Sequence, residues 1–249
     1  MGIGVFVSGA KGRMGREVVR AVRASDGLDL VGEADLGDDL GRMLEESRPR
    51  AMVDFTIPDA AMGNIRIAIS RGVVPIVGTT GLSASDRDEI ATLCREHSTG
   101  CLIAPNFALG AVLMMRFAQE AARYFPDAEV IEMHHEKKLD APSGTAALTA
   151  EMIAQGRQSA PTPLPAAAFE KLAGARGARG EGDIPVHSVR LPGFVASQMV
   201  IFGGEGQTLT IRHDSIDRAS FMPGVVYAIR QVDRLQASAE LVYCLEHLL

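Results

Sequence analysis

The sequence predicts an α/β protein of two domains, the first built on a parallel sheet and the second an α+β unit on a mixed sheet. Three observations carry that expectation. Over roughly the first hundred residues, short apolar runs alternate with stretches whose apolar residues recur at helical spacing, the pattern of a parallel sheet covered on both faces. Beyond Asn106 the alternation stops, and three β-rich runs follow one another through glycine-rich turns, as in a mixed or antiparallel sheet. The 249 residues, 47% of them hydrophobic, suffice for two cores.

Residues 3–7 (IGVFV) form the first expected strand, and residues 14–24, with Val18, Val19 and Val22, the first helix. Residues 28–34 are the second strand. Residues 51–56 (AMVDFT) are the third, ended by Pro58. A helix over 60–70 carries Ile65, Ile67, Ala68 and Ile69, and a fourth strand over 73–77 runs into the turn Gly78-Thr79-Thr80-Gly81. A helix over 85–97 precedes a fifth strand over 100–104, closed by Pro105-Asn106. The second half opens with a helix over 110–124, a strand over 128–134 and a helix over 145–156 with Leu148, Met152 and Ile153 on one side. Residues 157–182, rich in Pro, Gly, Ala and Arg, read as a long loop suited to mobility or a subunit contact. Strands are expected over 186–191, 196–202 and 208–214, and the last stretch, 223–249, reads as mostly helical and suited to returning to the first domain. The expected domains are therefore 1–106 with 217–249, and 107–216.

A net charge of −6 gives no general attraction for nucleic acid or an anionic membrane surface. Cys94, Cys101 and Cys244 form no CxxC pair, so neither a zinc site nor a disulfide framework is expected; they read as thiols in a reducing cytosol. The chain starts directly on a strand, without a basic leader, and has no apolar run near the roughly 20 residues of a membrane span. The expectation is a cytoplasmic protein.

The segment Ser8-Gly9-Ala10-Lys11-Gly12-Arg13-Met14-Gly15 leaves a strand and opens a helix. Glycines there let the backbone turn tightly and approach a pyrophosphate, which the free N–H groups of the helix start then face. The spacing is G-x-x-G-x-x-G, with Ala10 where the stricter fingerprint has a glycine, so alone it also fits a plain strand-to-helix turn. Glu33 and Asp35 close the second strand, and Asp35 lies 20 residues past Gly15, where a ribose-binding carboxylate is expected. That carboxylate repels the 2′-phosphate of NADPH, while Lys11 and Arg13 attract it. The expected cofactor is NADH or NADPH, with NADH modestly favoured.

The segment from Glu132 to Thr145 (EMHHEKKLDAPSGT) gathers more chemistry. His134 and His135 leave a strand, Lys137 and Lys138 follow, and Pro142-Ser143-Gly144-Thr145 starts a helix with Ser143 or Asp140 as cap. One loop thus collects a proton donor titrating near neutrality, a cation and an anion cradle of N–H groups and hydroxyls. A lone histidine is more often structural and a lone lysine more often solvated; it is the combination that points to function. Paired histidines also suggest metal, but no cysteine or third histidine is spaced to complete a zinc set, so none is expected.

Together these segments resemble the 4-hydroxy-tetrahydrodipicolinate (dihydrodipicolinate) reductase family along the chain: VSGAKGRMG (7–15), VDFTIPDAA (53–61), VGTTGLS (77–83), APNFALGAV (104–112), EMHHEKKLDAPSGTA (132–146) and IRHDSIDRASFMPGV (211–225). The family's E-x-H-H-x-x-K-x-D-A-P-S-G-T hallmark is complete, and the likeness is nearest to actinobacterial-type members, with Lys-Gly-Arg in the first loop and Asp35 after the second strand. The resemblance implies a Rossmann-type dinucleotide-binding domain and a second domain that binds substrate and forms a homotetramer. It implies reduction, by NADH or NADPH, of the cyclic dicarboxylate supplied by dihydrodipicolinate synthase, giving tetrahydrodipicolinate on the way to diaminopimelate and lysine.

By position, the resemblance makes His134 the proton donor and Lys138 the cation at the reacting centre, with His135, Ser143, Gly144 and Thr145 as binders of the substrate carboxylates. It sets the cofactor path along Gly12, Arg13, Met14, Asp35, Phe55, Gly78, Thr80, Ala104, Asn106 and Phe107; Gly9, Lys11, Gly15, Thr79 and Pro105 complete the same turns. Many relatives have a third basic residue where this chain has Glu136 and Lys137, and some carry Arg where it has Ile57. Those departures touch local charge and cofactor preference more than the reaction. Two other readings compete: another two-domain amino-acid or sugar dehydrogenase, which would lack the His-His-x-x-Lys segment, and a non-catalytic nucleotide-sensing relative, which would have lost His134 or Lys138.

Overall fold

The computed structural model describes residues 2–166, 168–180 and 182–249. The chain divides into two compact units, Met1–Leu109 with Arg218–Leu249, and Gly110–Asp217. The first break falls three residues beyond Asn106. Phe107 and Ala108 are buried, and Phe107 stays with the first unit because its ring packs 5.8 Å from that of Phe55.

In the first unit β1 (Ile3–Ser8), α1 (Arg13–Arg23), β2 (Leu28–Ala34), α2 (Leu40–Ser47), β3 (Ala51–Asp54), α3 (Pro58–Ile69), β4 (Val74–Val77), α4 (Ala84–His97) and β5 (Cys101–Ile103) alternate as expected. In the second, α5 (Leu109–Ala121), whose first residue closes the first unit, is followed by β6 (Asp127–His134), α6 (Gly144–Gly156), β7 (Ala178–Arg179), β8 (Pro185–Arg190), β9 (Ala196–Gly204) and β10 (Gln207–Ser215). The chain then returns to the first unit with α7 (Met222–Arg230), α8 (Val232–Ser238) and β11 (Leu241–Tyr243).

The first sheet runs β11-β5-β4-β3-β1-β2, and every pairing in it is parallel. Strand β1 is buried on both faces at Val5, Phe6 and Val7, as a central parallel strand must be when helices cover both sides. Helix α1 buries Val18, Val19 and Val22; α3 starts with Pro58 in its first turn, where a missing N–H costs nothing; Ser83 and Asp86 close a capping box at α4. Two elements depart from the expected pattern. Helix α2 is only eight residues long, too short for a periodic signal, and is set by the Asp39 carboxylate accepting from the Arg42 N–H. Strand β11 is three residues long within a tail expected to be mostly helical, and it pairs in parallel with β5 at the sheet edge. All three cysteines are buried and free.

The second sheet, β10-β9-β6-β8-β7, is mixed: β6 pairs in parallel with β8 and antiparallel with β9. The two residues of β7 give the long 157–182 segment a short pairing with β8. Helices α5 and α6 supply Ala118, Ala122, Ala146, Ala150 and Ile153 to a core closed by Val130, Val186, Val200 and Phe202 of the sheet.

Candidate active site

Parallel strands end on one edge, so the loops expected to follow the cofactor all lie at the carboxyl end of the first sheet. Gly9–Gly15 follow β1, Asp35 follows β2, Phe55 follows β3, Gly78–Thr80 follow β4, and Ala104–Phe107 follow β5. The chain leaves β1 for β2 on one side and comes back to β3 on the other, so the order reverses at β1. In such a sheet the crevice for a ligand opens at that point.

The turn after β1 is made of backbone. Gly9 has φ +78°, and a Cβ at Gly15 would stand 2.0 Å from the Gly9 carbonyl oxygen, so helix and strand approach as only glycine permits. Helix α1 has Gly12 as its N-cap, with no side-chain cap and no acid in its first turn. That bare N-terminus, with Lys11 and Arg13 exposed beside it and Met14 half-buried, fits a pyrophosphate. Asp35 accepts from the Lys11 N–H at 2.8 Å and from the Leu36 N–H at 2.8 Å. The bond from Leu36, then that from Lys11, holds its carboxyl below the usual range. Glu33 pairs with Arg23 instead.

Phe55 and Phe107 form a tilted ring pair on this edge, and the Gly78 N–H donates to the Asp54 carbonyl at 2.9 Å. Thr80 and Pro105 are exposed, whereas Thr79 and Ala104 are buried. The Thr79 hydroxyl donates to Asp54 at 2.9 Å, the Ala104 N–H donates to the Val77 carbonyl, and Asn106 Oδ1 accepts from the Ala108 N–H at 2.8 Å. Sequence reasoning missed Asp54, the hub of this edge. Fully buried, it accepts from the Thr56 N–H and hydroxyl, from Thr79 and from Asn64, which also reaches Ser8. Its only sequence signal is an acid ending an apolar run.

In the second unit, Glu132 and His134 alternate along β6 and therefore share a face. Glu132 is fully buried, and His134 Nδ1 meets its Oε2 in a short hydrogen bond. Register sets Arg190 of β8 beside His134, and its guanidinium grips Glu132 at two points, 2.7 and 2.9 Å. Burial pushes Glu132 up, but hydrogen bonds from His134, Arg190 and Ser188 outweigh it and hold the carboxyl at about 2.

The same residues reach the neighbouring turn. Arg190 donates to the Asp140 carbonyl at 2.7 Å, and the Ser143 N–H donates to Glu132 Oε1 at 3.3 Å. Of the two expected caps, Ser143 is the one used: its hydroxyl accepts from the Ala146 N–H at 3.2 Å to start α6. Asp140 instead takes Lys138 Nζ on both oxygens, at 2.8 and 2.9 Å. Gly144 has open space where a side chain would stand, and Thr145 follows it in the first turn. His135 Nδ1 is buried and has no hydrogen-bond partner among the described residues, an orphan suited to a ligand oxygen. The structure thus brings together His134, His135, Lys138, Ser143, Gly144 and Thr145, and adds Glu132, Asp140 and Arg190. Glu132 was legible as the first letter of the hallmark; Arg190 lies 58 residues away with no local signal.

Among the described residues, no group of three His, Cys, Asp or Glu is placed to hold a metal ion, and no helix is long and apolar enough to cross a membrane. A bare helix start at the switch point of a parallel sheet, in one chain with an imidazole anchored beside a second helix start, is the plan of a pyridine-nucleotide oxidoreductase. A family model described as dihydrodipicolinate reductase, N-terminus, matches residues 3–107, and one described as dihydrodipicolinate reductase, C-terminus, matches residues 110–249. The chain is 49% identical to 4-hydroxy-tetrahydrodipicolinate reductase of Moorella thermoacetica, covering 99% of this chain and 98% of that protein. It is 52% identical to the enzyme of Nocardia farcinica with the same name, covering 94% of each. The dipicolinate-bound dihydrodipicolinate reductase from Paenisporosarcina sp. TG-14 matches it at TM-score 0.89 and 43% identity, over 100% of both chains. The amine dehydrogenase of Mycobacterium smegmatis, at TM-score 0.58 and 14% identity, shares the fold alone. The chain belongs to the dihydrodipicolinate reductase family, NAD(P)H-dependent oxidoreductases of the diaminopimelate route to lysine.

Proposed function

We propose that the chain reduces 4-hydroxy-tetrahydrodipicolinate to tetrahydrodipicolinate, with His134 as proton donor and Lys138 as the cation at the reacting centre. One observation carries the reading: buried Glu132 bonds both the His134 ring and the Ser143 N–H at the start of α6, so proton donor and anion cradle are held as one piece. Loss of water, the 4-hydroxyl leaving with a ring proton, gives a conjugated C=C–C=N system; bound reduced nicotinamide would supply a hydride to it, and a proton must then be delivered. His134 turns Nδ1 to Glu132, which leaves Nε2 to hand over that proton. Lys138, ion-paired with exposed Asp140, exchanges that partner for substrate and stabilises charge that builds during transfer. The orphan His135 Nδ1, the start of α6 at Ser143 and Gly144, and Thr145 take the two carboxylates. The dipicolinate in the Paenisporosarcina relative is a planar ring with two carboxylates, which supports a substrate of that class.

For the nucleotide we propose NADH or NADPH with NADH modestly favoured, along Gly9–Gly15, Asp35, Phe55, Gly78–Thr80 and Ala104–Phe107. We further read the assembly as a homotetramer formed through the second unit, whose strand β10 is largely exposed; light scattering should then give four times the 26.5 kDa chain mass. The deciding experiment couples the protein to dihydrodipicolinate synthase and follows NADH oxidation. Oxidation that requires both the synthase and its substrates supports the reading, and none above background removes it.

A further inference from the structure

We propose that Glu132, gripped by Arg190, is the positioning residue for His134: it fixes the imidazole with Nδ1 protonated and Nε2 as the nitrogen that exchanges a proton. This inference rests on His134 being the proton donor.

Glu132 is 0% exposed, and hydrogen bonds converge on its carboxylate from Arg190 at two points, from His134, from the Ser188 side chain and from the Ser143 N–H. A two-point guanidinium grip keeps such a buried carboxylate ionised. An ionised carboxylate only accepts, so the ring nitrogen facing it must carry the hydrogen. A histidine free in water favours the opposite neutral form, with hydrogen on Nε2, so the tautomer is imposed by the fold. Arg190 has a second duty. Its charge offsets that of Glu132, so the imidazole faces a neutralised pair rather than a lone anion that would hold its proton. It also binds the Asp140 carbonyl, fixing the turn that carries Lys138. One buried junction therefore sets the angle of the donor, the place of the cation and the start of α6.

A purely structural ion pair would need Arg190 and Glu132 alone. The bond to His134 lies at the last residue of β6, which pairs with Arg190 of β8 and Ala196 of β9 and is followed directly by the loop that carries Lys138. The ionisable groups gathered there are Glu132, His135, Lys138 and Asp140 on the segment of His134 itself and Arg190 on β8. Ala196, the partner on β9, and Ser143, at the start of α6, add none.

The first test needs no variant. Nitrogen-15 shifts of the His134 ring in the full chain, above its titration, should report the form with hydrogen on Nδ1; hydrogen on Nε2 overturns the inference. The second is kinetic. Glu132→Gln should lower kcat on the order of a hundredfold with little change in the substrate KM. An amide can present either its oxygen or its N–H group to the ring, so it no longer dictates the tautomer. With the carboxylate gone and Arg190 unopposed, the imidazolium is disfavoured, and the alkaline limb of the kcat profile moves to lower pH. In a His134→Gln background the same substitution should change kcat by less than about threefold, since two residues acting through one ring are not additive. A hundredfold loss in both backgrounds would make Glu132 a structural residue only. Near-normal turnover of His134→Gln alone removes the donor role and the inference with it. A full loss there, together with hydrogen on Nε2, removes the inference and leaves the donor role standing.

Discussion

The helix starts of α1 and α6, the two proposed anion sites, are built on opposite plans. At α1 the N-cap is Gly12, with no side-chain bond, and glycines on either side bring backbone up to backbone. At α6 the N-cap is Ser143, its hydroxyl spent on the Ala146 N–H and its own N–H on buried Glu132. The first is exposed, with backbone N–H groups open at its start. The second is fixed from behind by a buried ion pair, which sets neighbouring side chains to the accuracy that chemistry needs. Binding by a bare helix end depends on where the backbone runs. Proton transfer depends on where one nitrogen sits. Substitutions should therefore act differently at the two places.

The largest difference is in acid. The Glu132 carboxyl sits at about 2, against an ordinary 4.5. A carboxyl depressed by folding binds fewer protons folded than unfolded. Its contribution is complete above about pH 4.5 and is lost as pH falls through 2, roughly 3 kcal/mol in all. Urea midpoints taken from pH 6 to 2.5 should fall more steeply for the unaltered chain than for Glu132→Gln. Parallel curves would mean that the ion pair stores no such energy. Asp35, at the other helix start, is also held low by N–H bonds, but it is not buried, so Asp35→Asn should leave the slope of stability with pH nearly unchanged.

Next comes turnover. His134→Gln and Lys138→Ala should each lower kcat by about two powers of ten or more, the scale of a positioned proton donor. Affinity for reduced nucleotide, read by fluorescence titration, should hold, because neither residue belongs to the glycine turn. Nucleotide affinity falling in step with kcat would break the division between the two places. At α6 itself, Thr145→Val should weaken inhibition by pyridine-2,6-dicarboxylate by about tenfold, the worth of one hydrogen bond to a charged group, with NADH binding intact. An unchanged inhibition constant would take Thr145 out of the cradle.

The same contrast explains what the sequence could tell. A site made of backbone advertises itself through glycine spacing, so Gly9, Gly12 and Gly15 located the turn, and alternating runs located β1 to β5. The His-His-x-x-Lys segment was legible because its chemistry is packed into 14 consecutive residues. Arg190 and Asp54 were not. Arg190 works on Glu132, 58 residues away, through strand register, and Asp54 works on Thr79 of the loop after β4 and Asn64 of α3, which only the fold brings to it. The eight residues of α2 and the three of β11 were missed for another reason. Both are shorter than the window over which a period can be recognised, and they are set by one cap and one edge pairing.

The smallest expected effect is the choice of nucleotide, where the two plans meet at a single carboxylate. Asp35 accepts one backbone N–H on each oxygen, so it stays ionised and keeps lone pairs for ribose hydroxyls. Its charge repels the additional phosphate of NADPH, and exposed Lys11 and Arg13 offset that repulsion. A charge-assisted bond contributes about 1.5–3 kcal/mol, and less where water screens it, so the opposed effects are comparable. Both nucleotides should therefore be used, NADH with the higher kcat/KM by less than about a hundredfold. Asp35→Ser should move the ratio toward NADPH, because repulsion goes while the cations stay. It should also weaken both nucleotides together, since the same carboxylate holds the Lys11 N–H and so the shape of the turn. The ratio of the two kcat/KM values separates these consequences, because loss of turn shape cancels in it. Replacing Lys11 and Arg13 by Ala should move the ratio toward NADH. Near-exclusive use of NADPH by the unaltered enzyme would mean that Asp35 braces the turn and never meets the ribose.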